Sequence, residues 1–125
     1  MMAFEALMLR PETFSRSVGF SSHLFLFGPE PADYPQAGPA RVDLALQQAI
    51  AENFPDPGDT RAYFDRGTLG LDAWYERSHI TIEKALVEKG YTPGKDVMAV
   101  VQEGAGHFDA FWKMRAPKAF KFLLS

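Results

Sequence analysis

The sequence contains no cysteine. Disulfide bonds, thiolate catalysis and cysteine-based zinc sites are therefore excluded together. Disulfides are typical of exported proteins, so a chain without cysteine fits a reducing compartment. We therefore expect a cytoplasmic protein.

Long apolar segments are also missing. No window approaches the roughly 18 consecutive apolar residues that a membrane helix needs. The N-terminal segment MMAFEALMLRPETF has neither a cationic lead nor an apolar stretch followed by a cleavage site, so it does not resemble a secretory signal. These absences predict a soluble, unexported chain without a membrane partner.

A block of positive charge is absent too. The 13 Lys and Arg residues are fewer than the 16 Asp and Glu residues, and the formal net charge is −3. No cationic cluster is available to follow phosphates, which argues against nucleic acid as a partner. The segment GTLG at 67–70 lacks the Lys and Ser/Thr of a phosphate-binding loop, and the three histidines show no metal-ligand spacing. We therefore expect neither a metal nor a cofactor.

What the sequence does contain is the composition of one folded domain. Hydrophobic residues make up 46% of the chain, which is typical of globular proteins and enough to form a core. A length of 125 residues predicts a single domain over 1–125.

Helix and strand patterns alternate along this domain. Strong helix formers fill 2–9 and end before Pro11, and the apolar run DVMAVVQ is typical of a strand buried on both faces. Pro117 is expected to open a second short helix, because proline is favoured at the first helical position. The predicted elements are helix 2–9, strand 14–22, a Pro/Gly-rich loop 28–39, helix 40–53, strand 60–64, helix 72–90, strand 96–102 and helix from 108.

This alternation predicts an α/β fold in which parallel strands are joined by helical crossovers. Ligands of such sheets bind at the carboxyl ends of the strands. The loops 21–24, 65–72 and 103–107 leave the predicted strands at that edge. We therefore expect the functional side chains in these loops.

His107 is the most suggestive residue at this edge. It follows a predicted buried strand and the flexible turn GAG. That setting suits a general base that takes a proton from a hydroxyl and returns it to a leaving group. The alternative is a histidine that only caps the helix after it.

Two separated segments resemble one group of enzymes. YFDRGTLGLDAWYE and, about 35 residues later, EGAGHFDAFWKMRAPKAFKFLL resemble the C-terminal half of α/β-hydrolases of the enterochelin, feruloyl and S-formylglutathione esterase group. The resemblance implies a partial α/β-hydrolase fold with about three parallel strands flanked by helices. It also implies a serine-type hydrolase acting on a small-molecule ester.

The same resemblance assigns roles to three residues. His107 stands where the group has its catalytic histidine. Asp72 follows the GT loop, 35 residues before His107, and is the first choice for the acid of the triad. Asp65, at the end of a predicted strand, is the second choice. The structural alternatives are a helix N-cap for Asp72 and a turn-anchoring side chain for Asp65.

The nucleophile is the element that the resemblance does not supply. Residues 1–22 resemble the helix that follows the G-x-S-x-G nucleophile elbow, then the next strand and its serine-containing loop, but the elbow itself is absent. In GFSSH, Ser21 and Ser22 fit a polar loop at a strand end better than a nucleophile, and we expect both to line the substrate pocket.

Two hypotheses about function remain from the sequence. In the first, the chain provides the acid and the histidine of a serine esterase. In the second, it is a non-catalytic α/β module or partner subunit that pairs through an open sheet edge, which would also allow homo-oligomers.

The remaining polar residues are expected to be structural. Trp112 and Arg115 share a helix face with several phenylalanines, so packing and a structural salt bridge are predicted for them. His79 is expected on a solvated helix face, and no role is predicted for His23.

Overall fold

The computed structural model describes residues 2–23 and 38–125, with side chains over 3–23 and 41–125. Within these ranges the chain forms four α-helices and a sheet of three strands. The elements are α1 (Met2–Leu9), β1 (Arg16–Gly19), α2 (Gly38–Asn53), β2 (Arg61–Gly67), a 3₁₀ segment (Gly70–Tyr75), α3 (Glu76–Glu88), β3 (Val97–Gln102) and α4 (Asp109–Leu124). None of the described helices has the length and apolar character needed to cross a bilayer.

The strands are parallel, and β2 lies between the other two. Arg16 of β1 lies opposite Arg61 of β2, and Ala62 of β2 lies opposite Val97 of β3. Nearly every residue of β2 is buried, as expected for a central strand that is covered on both faces. The predicted α/β fold with three parallel strands flanked by helices is therefore confirmed.

Helices cover both faces of the sheet. On one face, α1, α2 and α3 pack around Phe64 of β2, and on the other, α4 packs against Tyr63. Successive side chains of a strand point to opposite faces, so these two neighbours enter different cores. The first core contains Phe4, Leu7, Leu46, Ile50, Phe54, Ala62, Phe64, Ile82, Ala85, Leu86, Tyr91 and Val97; the second contains Tyr63, Ala119, Phe122 and Leu123.

Two arginines attach the C-terminal end of α4 to the sheet. Arg16 donates from Nε to the Leu123 carbonyl, and Arg61 donates from Nη1 to the Phe122 carbonyl, each at 2.9 Å. The last carbonyls of a helix have no partner within the helix. These two side chains therefore bond carbonyls at the end of α4, and the Ser125 hydroxyl also donates to that of Phe122.

The order of the elements agrees with the prediction, but several boundaries differ from the predicted ones. The strand expected over 14–22 is limited to β1, the strand expected over 60–64 extends to Gly67, and the helix expected from 72 begins as the 3₁₀ segment. Residues 28–37 of the predicted loop 28–39 lie outside the described residues, whereas Gly38 and Pro39 open α2.

The prediction that Pro117 opens a second helix is wrong. α4 continues from Asp109 to Leu124 with Pro117 inside it. A proline there cannot donate to the carbonyl four residues earlier, that of Lys113. Both residues are exposed, so water can reach this carbonyl, and the buried residues Arg115, Ala119 and Phe122 hold the opposite side of the helix.

The prediction that His79 lies on a solvated helix face is also wrong. Its side chain in α3 is buried, and its ring lies against the ring of Phe64 with the centroids 4.8 Å apart. Burial, and next the charge of Arg66, lower the pKa of His79 from 6.5 to about 4. The folded protein therefore keeps this imidazole neutral.

Stability should fall as the pH drops because of His79. Between pH 6.5 and about 4 the unfolded chain protonates this imidazole while the folded chain does not, so the unfolded state gains stability as the pH falls. We expect the free energy of unfolding to decrease by about 2 kcal/mol between pH 7 and pH 5 through this residue. Urea titrations of the wild type and His79→Leu should show a flatter pH dependence in the variant. Equal slopes would contradict the assignment.

Candidate active site

The loops after the three strands meet at the carboxyl edge of the sheet. The backbone N–H groups of Thr68 and Leu69 both donate to the Ala105 carbonyl, at 2.9 and 3.0 Å. The Gly104 N–H donates to the Thr68 hydroxyl at 2.9 Å. The loop after β2 is therefore fastened to the loop after β3, and the residues that follow each of them are brought together.

His107 and Asp72 are in direct contact at this edge. His107 Nδ1 lies 2.8 Å from Asp72 Oδ1. The Asp72 side chain is fully buried, whereas 26% of the His107 side chain is exposed. The 3₁₀ segment carries the carboxylate, and the turn before α4 carries the imidazole. An ionised carboxylate can only accept, so Nδ1 carries the proton and Nε2 is the basic nitrogen.

The second oxygen of Asp72 is held from two other directions. The Gly67 N–H and the Ser21 hydroxyl each donate to Oδ2 at 2.6 Å. Gly67 must be a glycine, because a Cβ there would lie 2.1 Å from the Ala105 carbonyl oxygen. Three donors from three segments therefore fix the orientation of the carboxylate toward His107.

The Ser21 hydroxyl has no free hydrogen-bonding capacity. It donates to Asp72 and lies 2.9 Å from Trp112 Nε1 and 3.0 Å from Arg115 Nη2. Indole and guanidinium groups can only donate, so they occupy both acceptor sites of the oxygen and direct its proton to Asp72. Ser21 is almost completely buried, and its proton cannot pass to His107 in this arrangement. This geometry does not fit a nucleophile.

Asp65, the second candidate for the acid, makes a different set of contacts. Its Oδ1 accepts from the Ser21 backbone N–H at 2.7 Å, and its Oδ2 lies 3.0 Å from the Tyr63 hydroxyl and 2.8 Å from Arg115 Nε. Burial raises the pKa of Asp65, against the opposing effects of the Ser21 N–H and Arg115. Both oxygens are thus engaged away from His107, and Asp72 takes the position beside the imidazole.

Trp112 and Arg115 do more than pack. The Trp112 ring stands edge-on to His107 with the centroids 5.1 Å apart, and its N–H reaches Ser21. Arg115 is buried, donates hydrogen bonds to Gln102 and Ser21, and forms an ion pair with Asp65, so the expected structural salt bridge is present. Their spacing of three residues places both on one face of α4, which is the signal in the sequence that links them.

An open cleft of about 340 Å³ lies beside the imidazole. It is lined by Ala3, Val18, Gly19, Phe20, Ser21, Ser22, His23, His107 and Trp112. The Ser22 hydroxyl is buried and has no hydrogen-bond partner within the described residues. Both serines expected at a pocket therefore line the cleft, the Ser21 hydroxyl fully bonded and the Ser22 hydroxyl buried without a partner.

His23 is the functional candidate that the sequence did not reveal. Its ring centroid lies 5.1 Å from that of His107, and its Nε2 lies 2.8 Å from the Tyr75 hydroxyl. Burial and the neighbouring His107 lower the pKa of His23, so it favours the neutral form. The signal available was its place two residues after Ser21, in the loop that follows β1. Across the described residues, no group of three or more His, Cys, Asp or Glu side chains could hold a metal ion.

Comparison of the chain with models of protein families, with curated proteins and with solved structures found no match. What the site does must therefore be inferred from its own geometry: a buried carboxylate, a partly exposed imidazole and a cleft beside them.

Replacing Arg115 should be strongly destabilising. Arg115→Met leaves the Asp65 carboxylate buried without its cation, so we expect the free energy of unfolding to fall by about 3–5 kcal/mol. The double variant Asp65→Asn/Arg115→Met should recover part of this loss, since it removes the unpaired charge. The exposed pair of Lys84 and Glu88 gives a control, in which Lys84→Met should change stability by less than about 1 kcal/mol. A loss at Arg115 as small as that of the control would contradict the prediction.

Proposed function

We propose that the chain supplies the base and the acid of a serine-type carboxylic ester hydrolase. One observation carries this proposal: His107 Nδ1 is bonded to the buried Asp72 at 2.8 Å, and Nε2 has no partner within the described residues. His107 also lines an open cleft, where a reacting group has room. The proposal includes the finer fold assignment, in which the sheet is the C-terminal part of an α/β-hydrolase domain, and a cytoplasmic location.

Each group has a defined part in such a reaction. His107 Nε2 takes the proton of a serine hydroxyl while that oxygen attacks the ester carbonyl, and Asp72 stabilises the resulting imidazolium through Nδ1. The imidazolium then returns the proton to the leaving alcohol, and an acyl-enzyme remains. A water molecule, deprotonated by the same nitrogen, attacks the acyl group and releases the acid and the serine.

This proposal does not assign the nucleophilic serine to Ser21 or Ser22. Ser21 is excluded by its three hydrogen bonds, and the Ser22 hydroxyl is buried in the wall of the cleft. Ala3, in the first turn of α1, lines the same cleft as His107. A nucleophile carried at this position of α1 would therefore face the cleft that His107 lines.

The second candidate function is a non-catalytic module that pairs with another chain or another copy through its sheet edge. The observation that favours it is the position of β1 at the edge of the described sheet, where its residues Val18 and Gly19 also line the cleft. In this case His107 and Asp72 would form a structural pair only. An experiment that asks whether His107 Nε2 acts as a general base distinguishes the two functions.

A thiol placed in the cleft should react through His107. The chain has no cysteine, so Ala3→Cys introduces a single thiol in the cleft that His107 also lines. We expect it to be acylated by p-nitrophenyl acetate at pH 7 about 100-fold faster than in Ala3→Cys/His107→Gln, since a positioned base contributes about that much. Release of p-nitrophenolate and the mass of the acylated protein measure the reaction.

Two controls accompany this experiment. Ala51→Cys places a thiol on an exposed position of α2, away from the cleft, and its acylation should not change with His107→Gln. The wild-type chain itself should hydrolyse the ester no faster than free imidazole at equal concentration, because triad members act as a unit. If His107→Gln leaves the acylation rate of the cleft thiol unchanged, the result would favour the non-catalytic module.

A further inference from the structure

We propose that Ser21 is a positioning residue, which holds Asp72 in the orientation that keeps His107 in one tautomer; this inference rests on the proposed function. Ser21 does not touch the imidazole or the reacting atoms. It acts through the Asp72 carboxylate, to which its hydroxyl donates at 2.6 Å.

The direction of the Ser21 proton is what makes this role specific. A hydroxyl can normally rotate and choose its acceptor. Trp112 Nε1–H and Arg115 Nη2–H occupy the two acceptor sites of this oxygen, at 2.9 and 3.0 Å. The remaining O–H bond has one acceptor in reach, Asp72 Oδ2, so two side chains of α4 determine how the carboxylate is held.

The backbone of Ser21 supports the same conclusion. Its φ is 46°, in the left-handed region, where glycine is favoured over residues with a Cβ. Among described residues other than glycine, Ser21 alone has a positive φ. Unfavourable backbone geometry persists where surrounding contacts require it. Here the contacts of the hydroxyl give a physical reason for a serine at a position that suits glycine.

Ser21 also joins the two aspartates into one network. Its N–H donates to Asp65 Oδ1 at 2.7 Å, while its hydroxyl donates to Asp72. Arg115 closes a ring through Asp65 Oδ2 and the Ser21 oxygen. Without the hydroxyl, the N–H groups of Trp112 and Arg115 lose an acceptor, and Asp72 Oδ2, which bonds the same oxygen, loses a donor. Movement of the carboxylate toward them would weaken its bond to His107.

Two substitutions separate the hydroxyl from the backbone. Ser21→Ala removes the hydroxyl and keeps the unfavourable φ, whereas Ser21→Gly removes the hydroxyl and relieves it. A variant that merely lost packing would also lose stability, but Ser21→Gly should fold at least as well as Ser21→Ala. Ser17→Ala is the matched control, because this buried hydroxyl of β1 has no partner within the described residues and does not line the cleft.

The direct readout is the nitrogen NMR spectrum of His107 in uniformly labelled protein. We expect the wild type and Ser17→Ala to show a protonated Nδ1, an unprotonated Nε2 and a slowly exchanging Nδ1 proton. Ser21→Ala and Ser21→Gly should both lose the slow exchange and show mixed tautomers. In the Ala3→Cys background, the same two substitutions should lower the rate of thiol acylation about tenfold.

The outcomes distinguish this inference from the proposed function. A folded Ser21→Gly protein that keeps the wild-type His107 spectrum would overturn the positioning role. The spectrum of Ser21→Gly could be altered while the acylation rate of the cleft thiol is unchanged by His107→Gln. That result would support the positioning role and contradict the proposed ester hydrolase function. Altered spectra together with the slower acylation would support both.

Discussion

A carboxylate buried away from water must receive its hydrogen bonds from the protein, and Asp72 receives them from three segments. The Ser21 hydroxyl comes from the loop after β1, the Gly67 N–H from the last residue of β2, and His107 Nδ1 from the turn after β3. Burying this charge without them would be strongly unfavourable. The three segments therefore have to be in place together, which links the arrangement of the site to the folding of the sheet.

Much of the fold could be predicted because its signals are local. The apolar run over 96–102 gave a strand within one residue of β3, and the alternation of elements indicated the parallel sheet. Pro117 misled the prediction because the penalty for a proline inside a helix depends on whether the freed carbonyl can reach water. The prediction for His79 was wrong because a single polar residue on a helix does not show that this face of α3 packs against Phe64.

Some residues of the candidate site could be placed from the sequence, and others could not. His107 and Asp72 follow neighbouring parallel strands, so topology alone places them at one edge of the sheet. The resemblance made Asp72 the first choice and Asp65 the second. Asp65 lies near the end of β2 and Asp72 in the 3₁₀ segment that follows, and only the side-chain directions, which spacing does not reveal, place Asp72 beside His107. The roles of Ser21, His23 and Trp112 depend on a left-handed φ and on ring contacts across loops, which leave no periodic pattern in the sequence.

α4 is fixed at both ends, by Arg16 and Arg61 on its final carbonyls and by Trp112 and Arg115 on the Ser21 network. Contacts at both ends restrict the tilting of this helix against the sheet. His107 precedes it, separated from β3 by a turn that contains Gly104 in the left-handed region and Gly106. If the imidazole rotates when a ligand binds, the rotation must therefore come from backbone torsions in this short turn, while α4 keeps its position.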